Sequence, residues 1–149
     1  MALLRHISWS VIPLVAGLFV IVAAIEKTGA IEALAKLIMD GASTSENLTA
    51  LASGFAIAVA SNVFNNLPVG LVGAATVAAA NPPQVVSDAL LIGVDLGPNL
   101  SVTGSLATLL WLVAVRREGV KVGFLRFLKV GFVTMTPALV SALVCRLLF

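Results

Sequence analysis

The sequence predicts an all-α membrane protein whose transmembrane helices include one re-entrant hairpin and one discontinuous helix. Three observations carry that prediction. The chain is 60% hydrophobic and 11% charged, with a mean hydropathy of +1.10, whereas an ordinary soluble domain has about 25% charged residues. Charge-free runs occupy residues 7–25, 47–87 and 96–115, and each reaches or passes the roughly 20 residues that cross about 30 Å of hydrocarbon as helix. The second and third runs are interrupted by Asn, Ser, Gly and Pro at 61–68 and 97–105. Lipid offers nothing to bond the freed amides, so such interruptions survive only when packed in protein or lining a cavity.

The same composition narrows the function. A net charge of +2 has no nucleic-acid meaning, because the basic residues gather in one stretch. One cysteine, Cys145, excludes an internal disulfide and any multi-thiolate metal site. The lone His6 stands at the membrane edge and no nucleophile–base pair is visible, so neither an enzyme nor a cofactor is expected.

In chain order, a first span is expected at 7–25, after Arg5 and His6. A cleaved signal peptide is the rival reading, with Val22-Ala23-Ala24 as a small-residue site. The apolar run is longer than the usual signal core, and further spans follow. At 29–40 an amphipathic helix puts Ile31, Leu34 and Ile38 on one face and Glu32, Lys36 and Asp40 on another. It is expected to lie on the membrane rather than cross it.

Ser43-Thr44-Ser45-Glu46 fits a capping box that opens a hairpin at 46–81. The tip, Ser61-Asn62-Val63-Phe64-Asn65-Asn66-Leu67-Pro68, leaves arms 48–60 and 69–80 of about 13 and 12 residues, each short of a span. The hairpin is therefore predicted to dip to mid-membrane and return, with Pro68 in the first turn of the returning arm. Asn62, Asn65 and Asn66 at such a tip need partners or a ligand.

A broken helix is predicted at 87–115. Gly97 and Pro98 interrupt its hydrogen-bond ladder, and Asp95, Asn99, Ser101, Thr103 and Ser105 crowd polar groups around the gap. At about 1.5 Å per helical residue, Asp95 lies roughly 10 Å below the level of Asp88. Ser101, fifteen residues before Arg116, lies roughly 22 Å from the other interface, so the break is expected inside the membrane.

Arg116, Arg117, Lys121, Arg126 and Lys129 supply five of the nine basic residues in a connector at 116–129. The positive-inside rule makes it cytoplasmic. A last span is expected at 130–148, with Pro137 inside it and Arg146 snorkelling outward. The amino end is then cytoplasmic and the acidic 26–46 segment outside. The hairpin enters from outside, and the carboxyl end emerges outside. In that geometry the returning arm and the inner half-helix, expected to start near Ser101, point two helix N-termini at one polar pocket. Such a pocket suits an oxyanion or a neutral, oxygen-rich solute, as in secondary transporters.

The tip motif, together with Gly93-Val-Asp-Leu-Gly-Pro-Asn-Leu-Ser-Val-Thr-Gly-Ser-Leu-Ala-Thr-Leu-Leu-Trp111, Phe127-Leu-Lys-Val-Gly131 and Pro137, resembles the arsenite/antimonite efflux permease family of the ion transporter superfamily. The resemblance implies a multi-pass protein of the plasma (inner) membrane that exports trivalent arsenite or antimonite in exchange for protons. In that family two inverted repeats each give a hairpin and a broken helix with a polar site between them, and a peripheral arsenite-stimulated ATPase is sometimes attached. Asn62, Asn65, Asn66, Asn99, Ser101, Thr103 and Ser105 are the substrate-binding candidates. Asp95, an intramembrane acid, is the proton-coupling candidate; Gly97, Pro98 and Pro68 make the breaks. The bland alternatives are tip capping for the asparagines, local capping for Asp95 and bonds to the preceding turn for the hydroxyls.

Only the carboxyl-terminal part of such a permease is resembled: one hairpin and one broken helix, a single half of an inverted-repeat transporter fold. A half of this kind is expected to need the missing amino-terminal half, whether it is a fragment, a split-gene subunit or a remnant. Two other readings remain: half of another superfamily carrier, for a carboxylate or inorganic anion, and a small membrane protein that transports nothing.

Overall fold

Two apolar helices, α3 (Glu46–Phe64) and α7 (Phe124–Leu148), are long enough to cross a membrane by length and composition. The computed structural model describes residues 11–149. Arg5, His6 and the first residues of the span expected at 7–25 lie outside the described residues. The remaining helices are α1 (Val11–Glu26), α2 (Ala30–Thr44), α4 (Asn66–Ala80), α5 (Gln84–Leu96) and α6 (Leu106–Arg117), with a 3-10 helix at Gly97–Leu100 following α5. Among the described residues there is no strand.

Helix α2 buries Ile31, Ala35, Ile38 and Ala42, and Ile38 reaches the core. Leu34, grouped with that face by sequence spacing, is 39% exposed; Ala35 and Ala42 complete the ridge instead. The helix also runs beyond position 40. Ser43 and Thr44 donate their hydroxyls to the Asp40 carbonyl at 2.7 and 3.3 Å, so neither is free to cap α3. The cap of α3 is Ser45, in extended backbone, whose Oγ accepts the Leu48 N–H at 3.4 Å. The Ser43–Glu46 capping box is corrected accordingly.

Helix α3 continues through Ser61 and Asn62 to Phe64, longer than the arm expected at 48–60. Ser61 stays helical because its hydroxyl returns to the Ile57 carbonyl at 2.8 Å, satisfying a fully buried oxygen. The turn to α4 is made by one residue, Asn65, at φ 74°. A positive φ is rare for a side-chain-bearing residue, and with ψ 145° Asn65 also lies outside the left-handed helical region that asparagine favours.

The core is built on close backbone approach. Helices α3 and α5 run side by side in the same direction, and their contact is a ladder of small residues. Ala50, Gly54 and Ala58 face Ala89, Gly93 and Gly97, all buried. A Cβ on Gly93 would overlap the Gly54 carbonyl, and one on Gly54 would come within 2.9 Å of the Ala89 carbonyl. Where lipid replaces water as solvent, such van der Waals fit, rather than hydrophobic burial, drives helix association.

Helix α7 crosses this pair antiparallel to α5. Leu143 packs beside Gly54, Met135 and Leu139 fill the middle, and Gly131 meets the Leu100 carbonyl. At the far end Arg146 Nε donates to Asp88 Oδ2 at 2.6 Å, so Arg146 is paired rather than snorkelling alone. Helix α7 begins at Phe124, so the second part of the connector expected at 116–129 forms its first turns. The actual link is short, turning at Gly119 with φ +80°.

Candidate functional site

The helical path of α5 does not break where the sequence suggests. Gly97 keeps right-handed helical geometry and Pro98 enters the 3-10 helix near its start. Proline has no N–H to give the α ladder, and the tighter 3-10 turn absorbs that loss. Gly97 serves close packing instead: a Cβ there would overlap Ala58. The helix ends at Ser101, in extended backbone, and α6 starts at Leu106. The discontinuity is therefore 101–105, and the inner helix begins about five residues later than the expected start near Ser101. That lag removes about 7 Å from the helical rise assumed between Ser101 and Arg116.

The hairpin tip is bonded to this discontinuity. Asn66 donates its main-chain N–H to the Gly104 carbonyl at 2.8 Å. Asn65 Nδ2 donates to the Thr103 carbonyl at 3.3 Å, and Thr103 Oγ1 donates to the Asn62 carbonyl at 3.0 Å. Because the Thr103 hydrogen is committed there, Ser101 Oγ must be the donor in its 3.2 Å contact with Thr103 Oγ1. Gly104 makes the approach possible, since a Cβ on it would overlap the Pro98 carbonyl.

The candidate side chains divide by whether their polar atoms are already used. Asn62 Nδ2 donates to the Ala58 carbonyl at 2.8 Å and the Gly97 carbonyl at 2.7 Å, locking α3 to the end of α5. Two carbonyl acceptors fix that amide orientation, which leaves Asn62 Oδ1 buried and without a partner among the described residues. Asn65 caps α4, its Oδ1 accepting the Leu67 N–H at 3.2 Å. Ser105 caps α6, its Oγ accepting the Thr108 N–H at 3.1 Å. Asn99 Nδ2 donates to the carbonyls of Leu96 and Asp95 at 3.0 and 3.3 Å. Besides the buried Asn62 Oδ1, three groups stay free among the described residues: the Asp95 carboxylate, Asn99 Oδ1 and the Asn66 side-chain amide. Asp95 and Asn99 are exposed and Asn66 is half-buried.

The helix N-termini divide the same way. In the first turn of α4 the Asn66, Leu67 and Val69 N–H groups go to Gly104, Asn65 Oδ1 and the Asn65 carbonyl, and Pro68 has none. This terminus has no donor left, so the expectation of two equivalent N-termini facing one ligand is corrected. In α6 the Leu106 and Ala107 N–H groups have no partner among the described residues. Its partial positive charge is the available one.

A groove of about 550 Å³ between α1, α2, α3 and α4 has little chemistry to offer a polar solute. The hydroxyls of Ser53 and Thr76 in its wall donate to the carbonyls of Ala50 and Val72. The rest of the lining is apolar or backbone. The free polar groups lie at the tip and on the last turns before the discontinuity.

Two features here escape a reading of the sequence for motifs. The small-residue ladder is present as two runs of small residues spaced four apart, at 50, 54, 58 and at 89, 93, 97. The Asp88–Arg146 pair is signalled by opposite charges at the ends of two apolar segments.

The family described as "Arsenical pump membrane protein" matches residues 2–149. The arsenical pump membrane protein of Escherichia coli (strain K12) is 30% identical over 98% of this chain and 36% of its own length. That of Yersinia enterocolitica is 30% identical over 97% of the chain and 35% of its own length. An uncharacterized transporter of Mycobacterium tuberculosis is 32% identical over 95% of the chain and 35% of its own length. The chain thus spans about a third of the length of these curated relatives. No solved structure matches.

Proposed function

The chain belongs to the arsenical pump membrane protein family, and from that premise we propose that its hairpin tip and helix discontinuity form half of the translocation site of a secondary transporter. The transporter exports arsenite or antimonite in exchange for protons, with the rest of the site coming from an amino-terminal half. One observation supports this reading above the others: the Asn66–Gly104 bond, which joins the tip of one helical hairpin to the gap in another helix. Asn66 supplies the unpartnered amide and Ser105 the donor end of α6 beside that bond, while the unpartnered Asp95 and Asn99 groups lie on the last turns before the gap.

A trivalent metalloid hydroxide is neutral and carries several O–H donors and oxygen acceptors. The Asn66 amide, which can both donate and accept, complements it, as do the acceptor Asn99 Oδ1 and the donor Leu106 and Ala107 N–H groups. In this reading Asn66, Asn99 and the α6 terminus hold the solute, and Asp95 carries the exchanged proton. Asn62, Asn65, Ser101, Thr103 and Ser105 hold the frame. The hairpin is re-entrant in the plasma membrane, its returning arm α4 being too short to cross at 15 residues although α3 is long enough. The basic link between α6 and α7 is cytoplasmic, and the carboxyl end is outside. The charge asymmetry supports that orientation; α6, which at 12 residues is too short to cross alone, supports a crossing shared with α5.

Asn66 offers the cleanest test, because the bond that holds the tip comes from its main chain and survives side-chain removal. Joined to an amino-terminal half, Asn66→Ala should reach the membrane at wild-type abundance and lower arsenite efflux from loaded cells. Efflux at the wild-type rate would remove Asn66 from the site.

A further inference from the structure

The last turn of α6, the link after it and the first turns of α7 carry Arg116, Arg117, Lys121, Arg126 and Lys129, all exposed, with Glu118 the only acid beside them. None of these cations is in an ion pair among the described residues; the one pair, Asp88–Arg146, lies at the opposite end of α7. Trp111 of α6 and Phe127 of α7 pack with ring centroids 6.1 Å apart, so both helix ends belong to one corner. Phe127 itself sits between Arg126 and Lys129. Among the cations, Val120, Phe124 and Leu125 stay exposed at 52%, 54% and 69%.

We propose that this corner binds the phosphate headgroups of anionic phospholipids and that this contact fixes the position of α6. The alternation of cations with exposed Phe, Leu and Val favours a lipid surface over a soluble acidic protein. The charges can meet headgroups while the apolar side chains enter the acyl boundary, with an aromatic pair at the same level. Near an anionic surface each such cation strengthens association about fivefold.

Helix α6 needs an external hold. Leu112 is its one buried residue, while Leu109, Leu110, Trp111 and Val113 are exposed. Its amino end is attached through the discontinuity at 101–105 and its carboxyl end through the basic corner. Headgroups clamped between Arg116, Arg117 and Lys121 on one side and Arg126 and Lys129 on the other would hold α6 against α7. The tilt of the whole arm would follow.

The test uses the full chain in nanodiscs of phosphatidylcholine, with or without phosphatidylglycerol, and reads amide hydrogen exchange by segment. Phosphatidylglycerol should slow exchange in residues 106–117 and leave 46–64 unchanged. In the variant Arg116→Gln/Arg117→Gln/Lys121→Gln the slowing should vanish. Phosphatidylglycerol retained on the detergent-extracted protein, read by native mass spectrometry, should bind that variant about a hundredfold more weakly. Lys27→Gln/Lys36→Gln, with cations removed at exposed sites elsewhere, should bind like wild type. Equal protection in pure phosphatidylcholine, undiminished phosphatidylglycerol binding by the triple variant, or protection of α6 only by an added acidic protein would each overturn the proposal.

Discussion

Asn66 and Gly104, on two different interrupted helical segments, are joined by one main-chain hydrogen bond of 2.8 Å. Its acceptor cannot move independently, because Gly104 lies against the backbone of Pro98. Position of the hairpin tip, shape of the gap and the end of the 3-10 helix are therefore one mechanical unit.

Gly104→Ala should disturb all three. The added Cβ meets Pro98 Cα at 2.7 Å and its carbonyl carbon at 2.8 Å, atoms that cannot rotate away as a side chain could. Overpacking of this kind costs about 1–3 kcal/mol. Gly123→Ala is the matched control, since its Cβ meets nothing within 4 Å and its φ of −79° suits alanine. Thermal unfolding in detergent should show a clear drop for Gly104→Ala and none for Gly123→Ala; equal behaviour would mean that the gap yields.

The α3–α5 ladder makes a sharper claim at Gly97. A Cβ there would meet Ala58 Cβ and carbonyl oxygen, both at 2.7 Å, and would overlap Ala58 Cα as well. Trimming the side chain relieves only one of those contacts. Gly97→Ala should thus destabilise the chain, and adding Ala58→Gly should fail to rescue it. Recovery in the double variant would show that side-chain volume, not backbone approach, sets the spacing.

Asp88 and Arg146, 58 positions apart, close the opposite end of the bundle through a 2.6 Å ion pair whose side chains are 30% and 31% exposed. Gln84 Nε2 also donates to Asp88 Oδ1 at 2.8 Å. Partial solvation limits the pair to about 0.5–1 kcal/mol. Asp88→Asn and Arg146→Gln should each lower stability by about that amount, with the double variant no worse than either single change. Strict additivity would mean that the two charges do not interact.

The helical, apolar character of the chain was legible because it depends on summed composition and on run length. The positions of the interruptions were less so. Pro98 marks a helix stop in any local reading, yet the 3-10 turn carries the chain past it to Ser101. Ser61 and Asn62 look like turn residues, but each bonds a carbonyl four residues back and remains in α3. Local propensity cannot foresee that Asn62 will find the Gly97 carbonyl 35 residues away. The sequence marked the polar residues near the two interruptions but could not sort those consumed by the frame from those left free. That sorting depends on partners distant in the chain.

Asp95 is the free group with the strongest claim to a proton. It lies seven residues, or about 10 Å of helix, beyond the Asp88–Arg146 level, and its carboxylate has no hydrogen-bond partner among the described residues while staying exposed on this chain. An ionised carboxylate facing lipid at that depth is costly, at about 2.5–3.5 kcal/mol on insertion scales. The surface bearing it is therefore suited to a water-filled cavity or an apposed protein segment rather than to acyl chains. Asn99 Nδ2 reaches only the main-chain carbonyl of Asp95, which leaves both carboxylate oxygens free to take and release a proton. Asp95→Asn keeps the shape of the side chain and removes its titration. In vesicles holding the chain together with an amino-terminal half, this variant should still exchange labelled for unlabelled arsenite. Accumulation driven by a pH gradient should be lost. Gradient-driven accumulation at the wild-type rate would place the coupling proton on another residue, and loss of exchange as well would make Asp95 part of the solute site itself.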